Sequence, residues 1–370
     1  MNVSGIINIY KEQNMTSHDV VGKLRRIFGV RRVGHTGTLD PMATGVLPVC
    51  IGRSARVTEY LDTDLKKYRC RMLLGRDTNT YDVWGEDVPA AGGPQSAESA
   101  AQQSAGAAAP GAAGAEGVTE DDVRRVLASF SGRITQKPPL YSAVKVSGKR
   151  LYEYARKGKN VEIPEREVYI KSLEVVDMDL SDESGAWVVF DVECTKGTFV
   201  RSVCHDAGVM LGCGAVMSEL ERLASGAFEI DSAVTIDELK ALAEQGEDAV
   251  KEAMFRPDEA LSRFGTVLLE AKDAVRLING LEIEPACYRI AEEPYFKEND
   301  FYFPVREEYK RMYRLYADMS ENVEIPGRPN GTEDQVPGRG TGNTVDNKLF
   351  IGLGLMTEED RHLHPEKIFI

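Results

Sequence analysis

Apolar positions along the chain fall into two spacings, alternating and helical, which together outline a mixed α+β protein. Residues 5–10 (Gly-Ile-Ile-Asn-Ile-Tyr) read as a short strand. Val20, Val21, Leu24, Ile27 and Phe28 then recur at helical spacing, with Thr16 or Ser17 as N-cap and Gly29 as the stop. A glycine-rich loop leads into an apolar run over 46–51, and residues 55–61 predict a short helix. Residues 67–75 alternate as a strand should, with Tyr68, Cys70 and Met72 on one face. Thr119-Glu120-Asp121-Asp122 supplies an acidic first turn for a helix over 123–130. Two or three strands follow over 161–194, including 188–194, and residues 195–208 turn from strand to helix. Further helices are predicted over 216–223, after Gly212-Cys213-Gly214, and over 236–243, after Thr235. From about residue 265 short strands take over, at 268–269, 313–317 and 349–354. These predict a small β-rich second domain, with a long loop over 326–345.

Composition places this pattern in an ordinary soluble globular protein, 42% hydrophobic and 28% charged. Its 370 residues suit roughly two domains. No apolar run approaches the ~20 residues of a membrane span. The N-terminal residues lack a basic region and a signal-cleavage pattern, so a cytoplasmic location is expected. None of the six cysteines, Cys50, Cys70, Cys194, Cys204, Cys213 and Cys287, forms a C-x-x-C pair. Reduced, mostly buried thiols are expected rather than a zinc site or disulfides. Residues 89–118 are rich in alanine and glycine, with no aromatic residue. Such a segment cannot offset its ordering entropy by burial and reads as a disordered insertion within one domain.

The net charge of −14 argues at first against a nucleic-acid partner, but its distribution reverses that. Residues 1–88 carry +3, whereas residues 203–370 carry −15. Nucleic-acid binding depends on local basic surface rather than on the total. Lys23, Arg25, Arg26, Arg31 and Arg32 lie on the first helix and its exit, either as a solvated face or as a phosphate-contacting patch. Residues 134–159 form the most basic window, interleaved with Tyr141, Tyr152 and Tyr154. They suit an RNA-gripping excursion, or else a surface hairpin followed by an amphipathic helix.

The candidate chemistry centres on the loop around Asp40. Asp40 precedes Pro41, which disfavours helix, and Gly34, Gly37 and Gly45 allow close backbone approach or positive φ. It is a candidate catalytic acid, or an aspartate that hydrogen-bonds its own turn. Tyr68 is a core aromatic or a base-stacking one. Arg201 falls near the start of a helix, where the macrodipole opposes a cation, so a specific anionic partner is expected.

Gly34-His35-Thr36-Gly37-Thr38-Leu39-Asp40-Pro41-x-Ala43-x-Gly45-Val46-Leu47 resembles the signature of the bacterial tRNA pseudouridine-55 synthases, the TruB family. Met15-Thr16-Ser17-His18, Lys67-Tyr68-Arg69, Lys137-Pro138-Pro139-x-Tyr141-Ser142-Ala143, the run from Gly148 to Gly158 and Lys196-Gly197-Thr198-Phe199-Val200-Arg201 resemble it in the same order. The likeness covers residues 5–230 apart from the insertion. More weakly, the tail 348–370 is similar to the family's PUA-like domain.

The resemblance implies a mixed, largely antiparallel central sheet with flanking helices, the pseudouridine synthase fold. The catalytic domain would span 1–255 and a PUA-like RNA-binding domain 265–370. It implies a monomer that flips a uridine out of the T stem-loop of tRNA and isomerises it to pseudouridine, without cofactor or metal. Asp40 would be the catalytic carboxylate and must be ionised, and a nearby Arg201 would keep it so. Tyr68 would stack on the uracil and pass protons. Phe199 and Leu220 would line the pocket, and His35 would hold or displace loop bases. Arg31, Arg32, Lys145, Lys149, Arg150, Arg156 and Lys157 would grip the RNA.

Three positions depart from the family pattern. Gln13 stands where a proline is frequent, Phe199 where a tyrosine is common, and Ser202 where a threonine is. The acid, the arginine and Tyr68 remain, so activity is expected. Other readings are a non-catalytic tRNA-binding or folding factor, a guide-RNA-dependent relative, and a glycosidase. The last would want a second carboxylate partner for Asp40, and no such motif is evident.

Overall fold

The computed structural model describes residues 3–61, 65–89, 115–159, 161–181, 185–295, 306–319 and 348–369. Residues 90–114 of the alanine-rich stretch and all of 326–345 lie outside them.

The chain begins with β1 (Gly5–Lys11) and α1 (Ser17–Phe28). Thr16 caps α1. Its hydroxyl accepts from Asp19 N–H, and Asp19 reaches back to the Thr16 backbone, a reciprocal capping box. Gly29 ends the helix in the left-handed conformation at φ 67°. β2 (Val33–His35) and β3 (Thr44–Ile51) bracket the Asp40 loop. Residues Gly52–Tyr60 form a 3₁₀ helix, which covers most of the short helix expected over 55–61. β4 (Lys66–Leu74) buries Cys70 and Met72 on the expected face, with Tyr68 half-buried beside them. Then come α2 (Glu120–Ala128), capped by Thr119 and Asp122, and β5 (Gly132–Gln136). β6 (Lys145–Val146) and β7 (Lys149–Arg150) form a small hairpin. Its two-residue turn has Ser147 at φ 49° and Gly148 at φ 80°, the handedness that matches strand twist. The short α3 (Leu151–Ala155) follows.

The 161–194 region resolves into β8 (Arg166–Asp179) and β9 (Trp187–Cys194), and α4 (Val200–Leu211) begins beyond Phe199. The segment expected to be a helix over 216–223 is instead a strand, β10 (Ala215–Ser225). Met, Glu, Leu and Arg favour helix, and the apolar spacing there is helical. The segment nevertheless pairs with β4 along its whole length, through bulges at Met217/Glu219 and Arg222/Ala224. Each bulge shifts the alternation by one residue, which erases the period-two signal. β11 (Phe228–Glu229), α5 (Ile236–Gln245), α6 (Glu247–Glu252), β12 (Met254–Phe255) and α7 (Pro257–Ala260) come next. The C-terminal region contains β13 (Gly265–Leu269), α8 (Ala271–Ile278), β14 (Tyr288–Glu292), β15 (Met312–Asp318), β16 (Lys348–Met356) and β17 (Leu363–Ile368).

These elements form two compact units. The first comprises Met1–Pro41, Val46–Thr63 and Gly226–Ile370, the second Met42–Gly45 and Asp64–Ser225. In the first, β12, β1 and β3 lie side by side with β2 paired on β3, and a separate five-stranded sheet runs β14-β13-β15-β16-β17. Its apolar clusters join Val57 and Tyr60 of the 3₁₀ helix to Phe264, Tyr309 and Leu353. In the second, β10, β4, β9, β8 and β5 form an antiparallel array, and Thr44–Gly45 adds parallel to β10. α2 and α4 supply Val123, Leu127, Val203 and Ala207 to the core of that unit, against Met72, Phe190 and Val192. The result is the mixed α+β architecture expected.

Candidate active site

In the first unit the Asp40 loop is fastened on both sides of the carboxylate. β2 pairs with β3 through Val33–Ile51, Gly34–Cys50 and His35–Val49, and Thr36 N–H donates to Pro48 O at 3.1 Å. Gly37 N–H donates to His35 Nδ1 at 3.3 Å, which pins the imidazole to its own loop. Immediately before Asp40, Leu39 is held twice by Ser17. Leu39 N–H donates to Ser17 Oγ at 2.9 Å, and Ser17 Oγ donates to Leu39 O at 3.2 Å. Immediately after it, Pro41 O accepts from Lys11 Nζ at 3.2 Å. Lys11 is fully buried and also donates to Glu12 O and Met15 O, at 2.9 and 2.7 Å. Carbonyl oxygens thus replace the water that its ammonium gave up. Asp40 itself is half-buried. Sequence reasoning singled out neither Ser17 as a loop anchor nor Lys11. Ser17 was read only as a possible helix cap, and Lys11 only as a lysine at the end of an apolar strand.

In the second unit, Tyr68 on β4 and Leu220 on β10 lie half-buried on neighbouring strands and pack against the same core. Phe199 caps the start of α4. Its backbone N–H donates to Gln136 Oε1 at 2.8 Å, and its carbonyl accepts from Gln136 Nε2 at 3.0 Å. Ser202 Oγ donates to Lys137 O at 3.1 Å. The start of the 134–159 excursion is therefore tied to the first turn of α4.

Arg201 lies in that first turn with its side chain only 7% exposed. Nη1 donates to Thr80 O at 3.2 Å and to Asp82 Oδ2 at 3.3 Å, and Nη2 donates to Tyr141 O at 3.2 Å. The expectation of an anionic partner looked to Asp40. Within this unit a carboxylate bonded to Arg201 is Asp82, which no sequence signal singled out. Asp82 sits on the turn after β4, where its Oδ1 also accepts from Thr80 Oγ1 at 2.6 Å.

The expected RNA-binding side chains Lys145, Lys149, Arg150, Arg156 and Lys157 are all exposed, as are Arg31 and Arg32 of the first unit. The guanidinium groups of Arg150 and Arg156 lie 5.9 and 5.5 Å from the Tyr152 ring centre. Tyr154 instead turns inward, its hydroxyl donating to Val146 O at 3.1 Å. A small hairpin followed by a short helix is what the segment forms. All six cysteines are free thiols and five are buried. Burial pushes the Cys50 and Cys194 thiols up to about 12. Among the described residues no group of His, Cys, Asp and Glu is arranged to hold a metal ion. Among them, too, no helix is long and apolar enough to cross a membrane.

Residues 25–200 match the N-terminal domain of TruB family pseudouridylate synthase in two overlapping segments, 25–109 and 95–200. Residues 201–263 match the tRNA pseudouridylate synthase B C-terminal domain. The tRNA pseudouridine synthase B of Alkaliphilus oremlandii (strain OhILAs) is 39% identical over 281 residues, 76% of this chain and 83% of that protein. That of Pelotomaculum thermopropionicum is 41% identical over 269 residues, covering 73% and 78%. Among solved structures, a Cbf5–Nop10–Gar1 complex superposes with a TM-score of 0.62 at 22% identity, over 99% of this chain and 85% of that one. At that identity the likeness is one of fold.

Proposed function

The chain belongs to the TruB family of pseudouridylate synthases and is a tRNA pseudouridine synthase, an isomerase; from that premise we propose that it acts on the uridine at position 55, in the T-loop, with Asp40 as its essential acid. The reaction detaches uracil from ribose at N1, rotates it and rejoins it through C5, and the C5 hydrogen leaves to solvent. Atoms and oxidation state balance within the nucleoside, so acid–base and nucleophilic groups suffice and no cofactor is required. Asp40 acts as an ionised carboxylate, nucleophile or base. Tyr68 stacks on the flipped uracil and relays protons, Phe199 and Leu220 line its pocket, and His35 engages the loop bases. Flipping costs a few kcal/mol, least in a loop already loosely stacked. The basic, tyrosine-bearing excursion, with Arg31 and Arg32, grips the T stem-loop through phosphate and stacking contacts.

The observation that carries this reading is Arg201, a guanidinium kept 7% exposed and held from three sides by Asp82, Thr80 O and Tyr141 O. A cation fixed so firmly in a helix's first turn suits the stabilisation of a catalytic anion better than the capture of mobile phosphates. The C-terminal β-rich region, 265–370, serves as a PUA-like RNA-binding domain beside a 1–255 catalytic domain. The protein works as a cytoplasmic monomer.

The test is tritium release from a tRNA transcript carrying 5-tritiated uridine. Wild type releases one equivalent per tRNA, and a transcript with cytidine at position 55 lowers release by that equivalent. Asp40→Asn releases none while still binding tRNA. A wild type that binds tRNA without releasing tritium would refute the catalytic reading.

A further inference from the structure

One turn along α4 from Arg201, His205 faces the same stretch of chain that holds the arginine. His205 Nδ1 lies 3.1 Å from Asp77 Oδ1, with side chains 17% and 3% exposed. An ionised carboxylate only accepts, so Nδ1 carries the proton and donates. Asp77 Oδ1 also accepts from Thr78 N–H at 2.8 Å, which fixes the carboxylate to the start of the turn. One face of the imidazole is covered as well. The Tyr81 ring stacks on it, centroids 3.9 Å apart and planes inclined by 15°.

Tyr81 sits between Thr80 and Asp82, the two turn residues bonded to Arg201. Its backbone is left-handed, φ 64°, a conformation that side-chain-bearing residues resist. Backbone bonds to Met217 on both sides help to hold it: Met217 N–H to Tyr81 O at 3.0 Å and Val83 N–H to Met217 O at 2.9 Å. The stacked imidazole is the side-chain part of the same restraint. Asp206 is the other acid near the ring pair, and burial raises its carboxyl above the ordinary value.

We propose that His205 is a positioning residue for Arg201: hydrogen-bonded to Asp77 and stacked on Tyr81, it fixes the 77–82 turn whose Thr80 carbonyl and Asp82 carboxylate hold the guanidinium. The proposal rests on the functional reading above, in which Arg201 serves the catalytic anion. His205 is given no chemical role of its own. It acts through the turn.

The experiment uses the full chain and a tRNA transcript, with tritium release for activity and amide hydrogen exchange for the turn. Misplacing a catalytic group by about 1 Å costs up to about a hundredfold, and the bonds to Met217 remain, so His205→Ala is expected to lower kcat about tenfold. KM for tRNA stays within about threefold. His205→Asn, whose side-chain amide can still donate to Asp77, recovers most of that loss. In an Arg201→Lys background, His205→Ala costs less than about twofold more, because the two changes act on one object. Exchange of amides 78–84 speeds up in His205→Ala while that of β4 and α4 is unchanged. An unaltered kcat, a loss confined to KM, or a loss that multiplies in the Arg201→Lys background would overturn the positioning role. Unchanged exchange over 78–84 would overturn it whether or not the wild type is active. An inactive wild type with faster exchange in His205→Ala would sink only the functional reading.

Discussion

Thr16 and Ser17 are adjacent hydroxyls at the start of one helix, and the structure gives them different tasks. Thr16 caps α1, whereas Ser17 turns away from the helix end to hold the backbone of Leu39. Replacing each by alanine separates stability from catalysis. Thr16→Ala removes an exposed cap, worth about 1 kcal/mol. Ser17→Ala strips both bonds from Leu39, and Ser17 and Leu39 are only 2% and 3% exposed, so water does not replace them. An orphaned buried N–H costs about 1–3 kcal/mol. Both variants therefore stay folded, since a domain has about 5–15 kcal/mol in hand.

Their activities should diverge. Leu39 directly precedes Asp40, and freeing its backbone releases one of the two anchors beside the acid. A loss of about ten- to a hundredfold in kcat follows if the carboxylate's placement is what Ser17 secures. Urea unfolding gives the stability of each variant, and tritium release at saturating tRNA gives kcat. Thr16→Ala should keep wild-type kcat. If Ser17→Ala also keeps it, or if Thr16→Ala falls as far, the anchoring argument is wrong.

Three further outcomes follow from the geometry. A Cβ on Gly45 would lie 2.3 Å from Arg222 O and 2.8 Å from Arg222 N, backbone atoms that cannot yield, so Gly45→Ala should sharply lower the calorimetric melting temperature; Gly29→Ala, left-handed too but in open space, should cost only about 1–2 kcal/mol. If Arg150 and Arg156 contact phosphates, alanine at each should reduce the slope of log K against log salt in tRNA binding by about 0.7–0.9, and an unchanged slope would make them a solvated face. Burial raises the Asp206 carboxyl above its ordinary 3.8, so its ionisation costs stability above that pH; Asp206→Asn should raise stability at pH 7 in urea titrations, and the gain should vanish below about pH 4.

Much of this was legible in local chemistry. A threonine followed three residues later by an acid marks the starts of α1, α2 and α5, and each proves to be a reciprocal capping box. The buried face of β4 and the left-handed stop at Gly29 were legible for the same reason: one short window decides them. Asp82 was not. Its sequence neighbours, Tyr81 and Val83, carry no sign of an arginine 119 residues away. Lys11 was hidden likewise: Glu12 O and Met15 O are local, but the Pro41 carbonyl that joins them around its buried ammonium lies 30 residues on.

The misread strand β10 pairs with the last glycine of the motif. The motif around Asp40 ends in Gly45, whose φ of 98° and contact with Arg222 make glycine necessary. That contact exists only because Arg222 lies on a strand paired in parallel with Thr44–Gly45. On a helix over 216–223 its backbone N–H and C=O would be spent on their own turns and could not pair with a strand. The third glycine of the motif therefore carried information against the helix, and local propensity outweighed it. A glycine that sequence pattern assigns to close approach needs a backbone to approach, and in a sheet protein the first candidate is an unassigned strand. Here that strand also carries Leu220 beside Tyr68's own strand.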